Sequence, residues 1–481
     1  MHNSTASPAA ADLTVQRLPR APRRADGRVD LDALVDRCAP GPLALLEACR
    51  GGISPRWSYL MPEPAARLVD DGWRAELRFA ASSATPLQLG VDPVRALDAV
   101  CDRLGLAPSD SGPSAGPELT GGLVGWLGYE LGGRIEPRAR AGAAMPAFDL
   151  AVAEHIVAVD HHEEQAWLVT RDLLGRRDLA ARGRAVRERL AGPAATRAPV
   201  APRPQPAMTS LPRARYEQVV DRIRAYIAAG DVFQVNLTRQ LGARWPGDVV
   251  ELHRALRRES PAPLGALLRR ADGSGIASIS PETFLEVAGR HVRTRPIKGT
   301  RRREPEAGAD AAAARVLRAS AKDRAENVMI VDLLRNDLGR VCRTGSVQVP
   351  DLVALEAHPT VWHLVSTVTG VLRPDVGWAD LVAATFPCGS VTGAPKIRAQ
   401  QIIAELEPVP RGVYCGAIGF LSVGAARLSV AIRTATLSAD GQVSYGAGGG
   451  VVAESDPAAE HQESLDKAAA FLRAVGASPP A

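Results

Sequence analysis

The chain has 481 residues, 46% of them apolar and 23% charged, with a net charge of +5. That length can bury a large core, and the composition is that of an ordinary globular protein. With 4% aromatic residues and no basic run interleaved with them, no nucleic-acid partner is expected; no apolar span reaches the ~20 residues of a membrane helix, so no membrane partner is expected either.

Residues 1–26 contain no apolar run of signal-peptide type and read as a disordered tail. A first region, 27–192, follows. Its GGLVGWLGYELGGRIE (121–136) alternates glycine with apolar residues, as in a strand of close backbone approach followed by a turn. AEHIVAVDHHEEQAWLV (153–169) predicts two strands joined by a polar hairpin at Asp160–Glu164, and 176–192 a helix ending at Gly192. The Pro/Ala-rich stretch 193–213 has no apolar period and is a linker.

The second region, 214–477, is more regularly patterned. Tyr216, Val219, Val220, Ile223 and Ile227 recur at helical spacing, with Gly230 as the expected C-cap. VFQVNLTRQL (232–241) reads as a strand with Phe233, Val235 and Leu237 on one face and Gln234, Asn236 and Thr238 on the other. Strands around 275–299 turn tightly at Ala288-Gly289-Arg290, and 320–337 is a helix that is apolar on most faces after Glu326. SVQVP and HLVSTVTGVL are beta-rich. A helix begins with Thr392 as N-cap and Pro395 in its first turn. GAIGFLS, RLSVAIRTATLS and QVSYGAGGGVV predict three successive strands, and a last helix starts at Ser455-Asp456-Pro457. The six cysteines are far apart and lack metal spacing, which points to reduced thiols and a cytoplasmic location.

Four features carry chemistry. All but four of the 58 basic residues are arginine, and the four lysines are Lys298, Lys322, Lys396 and Lys467. An amine can lose its proton and attack an electrophile, whereas a guanidinium effectively cannot. Asp323 with Glu326, and Glu460 with Glu463, each share a helical face. Carboxylates from two helices with no His or Cys beside them suit a hard cation such as Mg²⁺, or else are a solvated surface. The glycines Gly448, Gly449 and Gly450 after a strand, the helix start near Thr392 and the neighbouring Arg433 suit a carboxylate-bearing ligand. Glu282 lies across a predicted hairpin from Lys298, as a general acid beside a nucleophile or as a cross-strand ion pair. His363 sits in an apolar strand and by itself reads as a core residue.

The strings RPIKGT, SAKDRAENVMIVDLLRNDLGRV, PCGSVTGAPKIRAQQIIAELEP, GAIGF, IRT, GAGGGVV and EHQESLDK together resemble the chorismate-utilising enzymes. Within them the likeness is greatest to the aminodeoxychorismate synthase component I branch and next to the anthranilate synthase branch. The resemblance covers almost all of 214–475. It implies an α+β fold (an α/β sandwich), two packed antiparallel sheets with flanking helices, which the first region completes. It also implies a Mg²⁺ site from Glu326 and Glu463, helped by Asp323 and Glu460, with Lys467 beside it. Arg433, Gly448, Gly449, Gly450, His363 and, more weakly, Tyr414 match substrate-contacting positions, and Glu282 matches the general acid that assists loss of the chorismate 4-hydroxyl.

Two positions separate the branches. Water-using members carry a lysine where this chain has Gln234, and an amide is a poor base. Anthranilate synthases read Pro-Ile-Ala-Gly-Thr where this chain reads Pro-Ile-Lys-Gly-Thr (296–300). The resemblance therefore implies that Lys298 attacks C2 of chorismate and that ammonia then enters at C4. No glutaminase motif is visible, so ammonia is expected from a separate glutamine amidotransferase (component II) subunit. Anthranilate formation and a catalytically silent paralogue are the alternatives, the latter predicting losses among Glu282, Lys298, Glu326 and Glu463, all of which are present. The tryptophan pocket of related synthases would lie at Leu45-Leu46-Glu47-Ala48, where the family's serine is missing.

Overall fold

The computed structural model describes residues 13–48, 55–80, 84–110, 116–139, 145–194, 197 and 200–480. Two large antiparallel sheets of 12 strands each dominate it. Both are assembled from the two halves of the sequence. In the first sheet the strand Leu43–Ala48 pairs with Leu264–Arg269, and in the second Gly122–Leu127 pairs with Ala417–Ser422. Strand pairing thus runs without a break across the linker, as the sandwich requires.

The close approach expected of the 121–127 segment is real. A Cβ on Gly125 would stand 2.0 Å from the Asp149 carbonyl oxygen, so only glycine lets these strands meet. The 153–169 hairpin forms as His155–Asp160 and Gln165–Arg171, and the helix after it is Leu179–Ala191. Helices cover the sheets with the faces their spacing dictates: Tyr216, Val219, Val220 and Ile223 of Arg213–Ala228 are buried. No helix among the described residues is long and apolar enough to cross a membrane.

Several expectations are corrected. Residues 13–17, placed in a disordered tail, form a strand on Gln165–Arg171 at the edge of the first sheet. Phe233 does not share the buried face of Val235 and Leu237: the strand is Gln234–Arg244, and Phe233 precedes it at 70% exposure. Thr392 is not a helix N-cap. The helix is Lys396–Leu406, and Thr392 closes a short 3₁₀ turn, its hydroxyl donating to the Cys388 carbonyl at 2.7 Å. RLSVAIRTATLS is two strands. Ala425–Val430 belongs to the second sheet and Thr434–Leu437 to the first, and the chain crosses between them at Arg433, whose φ is +50°. Gly448–Gly450 lie inside the strand Gln442–Val451 rather than after it, so their backbone groups serve the ladder to Gln234–Arg244.

Candidate active site

Four elements converge on one site: the second-sheet strand Ile297–Arg302, the helix Ala321–Gly339, the strand Gln442–Val451 and the helix Pro457–Ala474. The Ala321–Gly339 helix is docked on the second sheet by Ile330, Val331 and Leu334, all buried, and by Asn327, whose amide donates to the Leu364 carbonyl at 3.3 Å. Its polar N-terminal end, with Lys322, Asp323 and Glu326, is left facing the Pro457–Ala474 helix. That helix starts at the Asp456 N-cap and carries Glu460, Glu463 and Lys467.

Lys298 is aimed by a bulge. Its strand pairs with Val361–Val371 as Lys298↔Leu364 and Thr300↔His363, so Gly299 is the extra residue. Gly299 has φ +81°, and a Cβ there would press at 3.0 Å on the Asp323 side chain. The bulge directs the Lys298 ammonium to the Ser390 carbonyl, 3.2 Å away.

The hairpin that separates Lys298 from Glu282 forms as expected, with Thr283 opposite Arg295. Glu282 is 4% exposed, and its Oε1 has no hydrogen-bond partner. Burial raises its pKa above the ordinary carboxylic range, against the opposing pull of the Ser390 hydroxyl and the Lys298 ammonium. Acid and amine therefore meet over Ser390, a residue the sequence reading passed over although it lies in the quoted PCGSVTG string.

The carboxylates come together between the two helices. Lys467 Nζ lies 2.7 Å from Glu463 Oε1 and donates to the Gly448 carbonyl at 2.8 Å. Lys322 Nζ lies 3.9 Å from Glu326 Oε1 and 3.6 Å from Glu460 Oε1. Burial raises the pKa of Glu326 and of Glu460. At Glu463 burial is outweighed by Lys467, with Lys322 and Lys298 adding to it, and the pKa is lowered. Gln234 donates to Glu326 Oε2 at 3.3 Å, and its own Oε1 is buried without a partner.

Among the described residues no three His, Cys, Asp or Glu side chains close on a common point as metal ligands do; the carboxylates are instead held on ammonium groups. The donor set nevertheless fits a hard cation. Glu460 Oε2 is buried with no partner, and a Cβ on Gly449 would stand 3.2 Å from both Glu460 Oε2 and Glu463 Oε1. The missing side chain leaves open space beside two carboxylate oxygens.

The residues expected to contact substrate stand as follows. Arg433 is half-buried at the sheet crossover, donating to Ser260 Oγ at 3.2 Å. His363 is buried, its Nδ1 2.9 Å from Thr300 Oγ1. Burial, then the charges of His358 and Arg433, lower its pKa to about 4, so its ring is neutral at pH 7. Tyr414 packs against Gly446, whose absent Cβ would fall 2.1 Å from its ring. With Glu407 and Arg411 it lines a small cavity beside the Gln442–Val451 strand. Thr392 is fully buried, and its hydroxyl is spent on the Cys388 carbonyl. Beside Leu46, Glu47 and Ala48, a cavity of about 30 Å³ is also lined by Trp57, Gly265 and Phe420.

Comparison with known proteins gives these groups a context. The chorismate binding enzyme family matches residues 61–473. The chain is 39% identical over 419 residues to aminodeoxychorismate synthase component 1 of Klebsiella aerogenes, covering 86% of this chain and 88% of that protein. It is also 39% identical over 436 residues to anthranilate synthase component 1 of Streptomyces coelicolor, covering 86% and 84%. The crystal structure of anthranilate synthase component I from Streptococcus pneumoniae superposes with a TM-score of 0.73 at 30% identity, over 88% of this chain and 93% of that one. With matched residues running from one sheet's first strands to the last helix, the chain belongs to the chorismate binding enzymes.

Proposed function

We propose that this protein is component I of an aminodeoxychorismate synthase, converting chorismate and ammonia to 4-amino-4-deoxychorismate. The observation that carries this is the meeting of Lys298 and Glu282 over Ser390: an amine placed by a glycine bulge, beside a buried acid whose pKa is raised. A raised pKa keeps a carboxyl protonated and able to donate at neutral pH.

In the proposed sequence Lys298 first gives up its ammonium proton to solvent, and the amine then forms a bond to C2 of chorismate as the bond from C4 to its hydroxyl breaks. Glu282 supplies the proton with which that hydroxyl leaves as water. Ammonia then bonds to C4 while the C2–Nζ bond breaks and returns its electron pair to Lys298. The surplus proton of the entering nitrogen resets Glu282. Two displacements thus put nitrogen on C4 rather than C2. Gln234 supports the choice of ammonia over water, since an amide cannot act as a base. Arg433 and the neutral His363 are the groups suited to hold and orient the substrate's carboxylates.

Glu326 and Glu463, with Asp323 and Glu460, are the residues that would hold Mg²⁺. Bound there, the ion would neutralise a carboxylate of the substrate and strengthen its fixed orientation. The relatives' designation as a component 1 supports a second component, a glutamine amidotransferase that delivers the ammonia. The described cysteines are all buried and unpaired, which suits the reducing cytoplasm.

Anthranilate formation is the second reading, favoured by the equal identity to the Streptomyces coelicolor protein. Purified protein supplied with chorismate, Mg²⁺ and ammonium, with products separated by mass and fluorescence, decides between them. Aminodeoxychorismate is the expected product. Lys298→Ala should divert nitrogen to C2, giving 2-amino-2-deoxyisochorismate or anthranilate. Undiminished formation of the C4 product by that variant would remove the covalent role.

A further inference from the structure

The two lysines at the carboxylate cluster are held in different ways. Lys467 is fixed by two short contacts, at 2.7 Å to Glu463 and 2.8 Å to the Gly448 carbonyl. Lys322 makes only long ones, 3.9 Å to Glu326 and 3.6 Å to Glu460, and its side chain remains 48% exposed. Contacts of that length are attraction between charges rather than hydrogen bonds. Lys322 therefore lies in the field of the cluster on a flexible stem, with an open path to water.

The field needs an occupant. The Lys322 ammonium is within 4 Å of two of the cluster's carboxylates, Glu326 and Glu460, and these come from different helices. Glu460 is 4% exposed, and its Oε2 has no hydrogen-bond partner and faces the space left by Gly449. A buried carboxylate with one idle oxygen is costly unless a cation balances it.

We propose that Lys322 is a tethered counter-ion, neutralising Glu326 and Glu460 while the cluster lacks a divalent cation and moving out to solvent when Mg²⁺ binds. The inference rests on the metal reading given above. Mg²⁺ carries twice the charge, is far smaller, and takes carboxylate oxygens directly. The ammonium lacks short bonds that would have to be broken. Because Lys322 stabilises the metal-free state alone, it weakens net metal affinity, as any group does that favours the unliganded form. The benefit to the protein is a cluster of four carboxylates that does not repel itself apart between turnovers.

The test titrates Mg²⁺ alone, without chorismate, into the full-length protein by calorimetry at low ionic strength. Lys322→Gln should bind Mg²⁺ roughly fivefold more tightly, the scale of a partly exposed ion pair. Its metal-free melting temperature should fall, while its melting temperature at saturating Mg²⁺ should equal that of the wild type. Lys322→Arg, which retains the charge, should return the affinity towards the wild-type value. Unchanged or weaker Mg²⁺ binding by Lys322→Gln would overturn the proposal. So would a loss of melting temperature that is the same with and without Mg²⁺, since Lys322 would then be a permanent link between the helices. If neither the wild type nor the variants bind Mg²⁺, the metal reading itself falls and this proposal with it.

Discussion

Glu282 and Lys298 become useful to each other because one is buried and the other is aimed. The carboxyl of Glu282 is shielded from water and its Oε1 is left free, so a proton on it is retained until substrate accepts it. Glu282→Gln keeps the shape and removes the proton. It should lower kcat by about 10²–10⁴-fold with little change in KM for chorismate; steady-state kinetics with ammonium as nitrogen donor reads this, and an unimpaired kcat would exclude the acid role. His363 makes a prediction about pH. Its folded pKa is about 4, against 6.5 for a free imidazole, because burial and then His358 and Arg433 disfavour its charge. The unfolded chain therefore takes up this proton first, and the His363 contribution to stability is lost as pH falls from about 6.5 to about 4, with no further loss below. The effect is at most on the order of 3 kcal/mol. Urea unfolding at pH 7 and pH 5 should show a smaller drop for His363→Gln than for the wild type; equal drops would mean that His363 does not carry this linkage.

Among the elements, the strand Gln442–Val451 shows why three glycines stand in a row. A Cβ on Gly448 would fall 2.0 Å from the Leu237 carbonyl oxygen, and one on Gly450 1.9 Å from Gln234 Nε2. Neither is tolerable without moving the backbone or the amide that touches Glu326. Gly449 differs, since its Cβ would meet only carboxylate oxygens at 3.2 Å and the Lys467 ammonium at 3.5 Å. Gly448→Ala should therefore cost roughly 2 kcal/mol of stability by denaturant unfolding. Gly449→Ala should leave stability nearly unchanged and weaken Mg²⁺ binding in calorimetry. Equal stability losses in both would mean that the space beside Gly449 is not a ligand's space. The sheet crossover at Arg433 is the second lesson at this scale. The segment reads as one strand because apolar residues recur along it, yet it splits at Arg433, whose φ is +50°, where the chain passes from one sheet to the other.

For the whole molecule, what matters is that neither half of the sequence owns a complete sheet. Leu264–Arg269 has Leu43–Ala48 as one neighbour, and Ala417–Ser422 has Gly122–Leu127 as one. A chain beginning at residue 200 would expose two long unpaired strand edges and the apolar faces behind them, which favours aggregation. Such a fragment should be insoluble, or lack near-ultraviolet circular dichroism, when expressed alone. A soluble fragment with cooperative unfolding would mean that the catalytic half folds unaided. The linker also takes part in this assembly: Arg197 pairs with Asp36, Asp248 and Glu251, tying the first helix of one half to a capping box of the other.

By itself the sequence determined the helices with clear 3.6-residue periodicity, the hairpins with polar turns, and the site's chemical groups. Lys298 stood out in a chain that writes charge as arginine, and the acidic pairs lay at helical spacing; such local regularities need no partner to be legible. Tertiary structure decided the rest. The 13–17 strand, LTVQR, has only one short apolar alternation, its Leu13 and Val15 stay exposed, and it exists because an edge of the first sheet accepts it. The ends of the helix after Thr392, the crossover at Arg433 and the ladder position of the glycines depend on what packs beside them. Ser390 and Lys322 gained their places only when elements distant in sequence met, because an ion pair or a carbonyl contact between separate elements leaves no periodic mark along the chain.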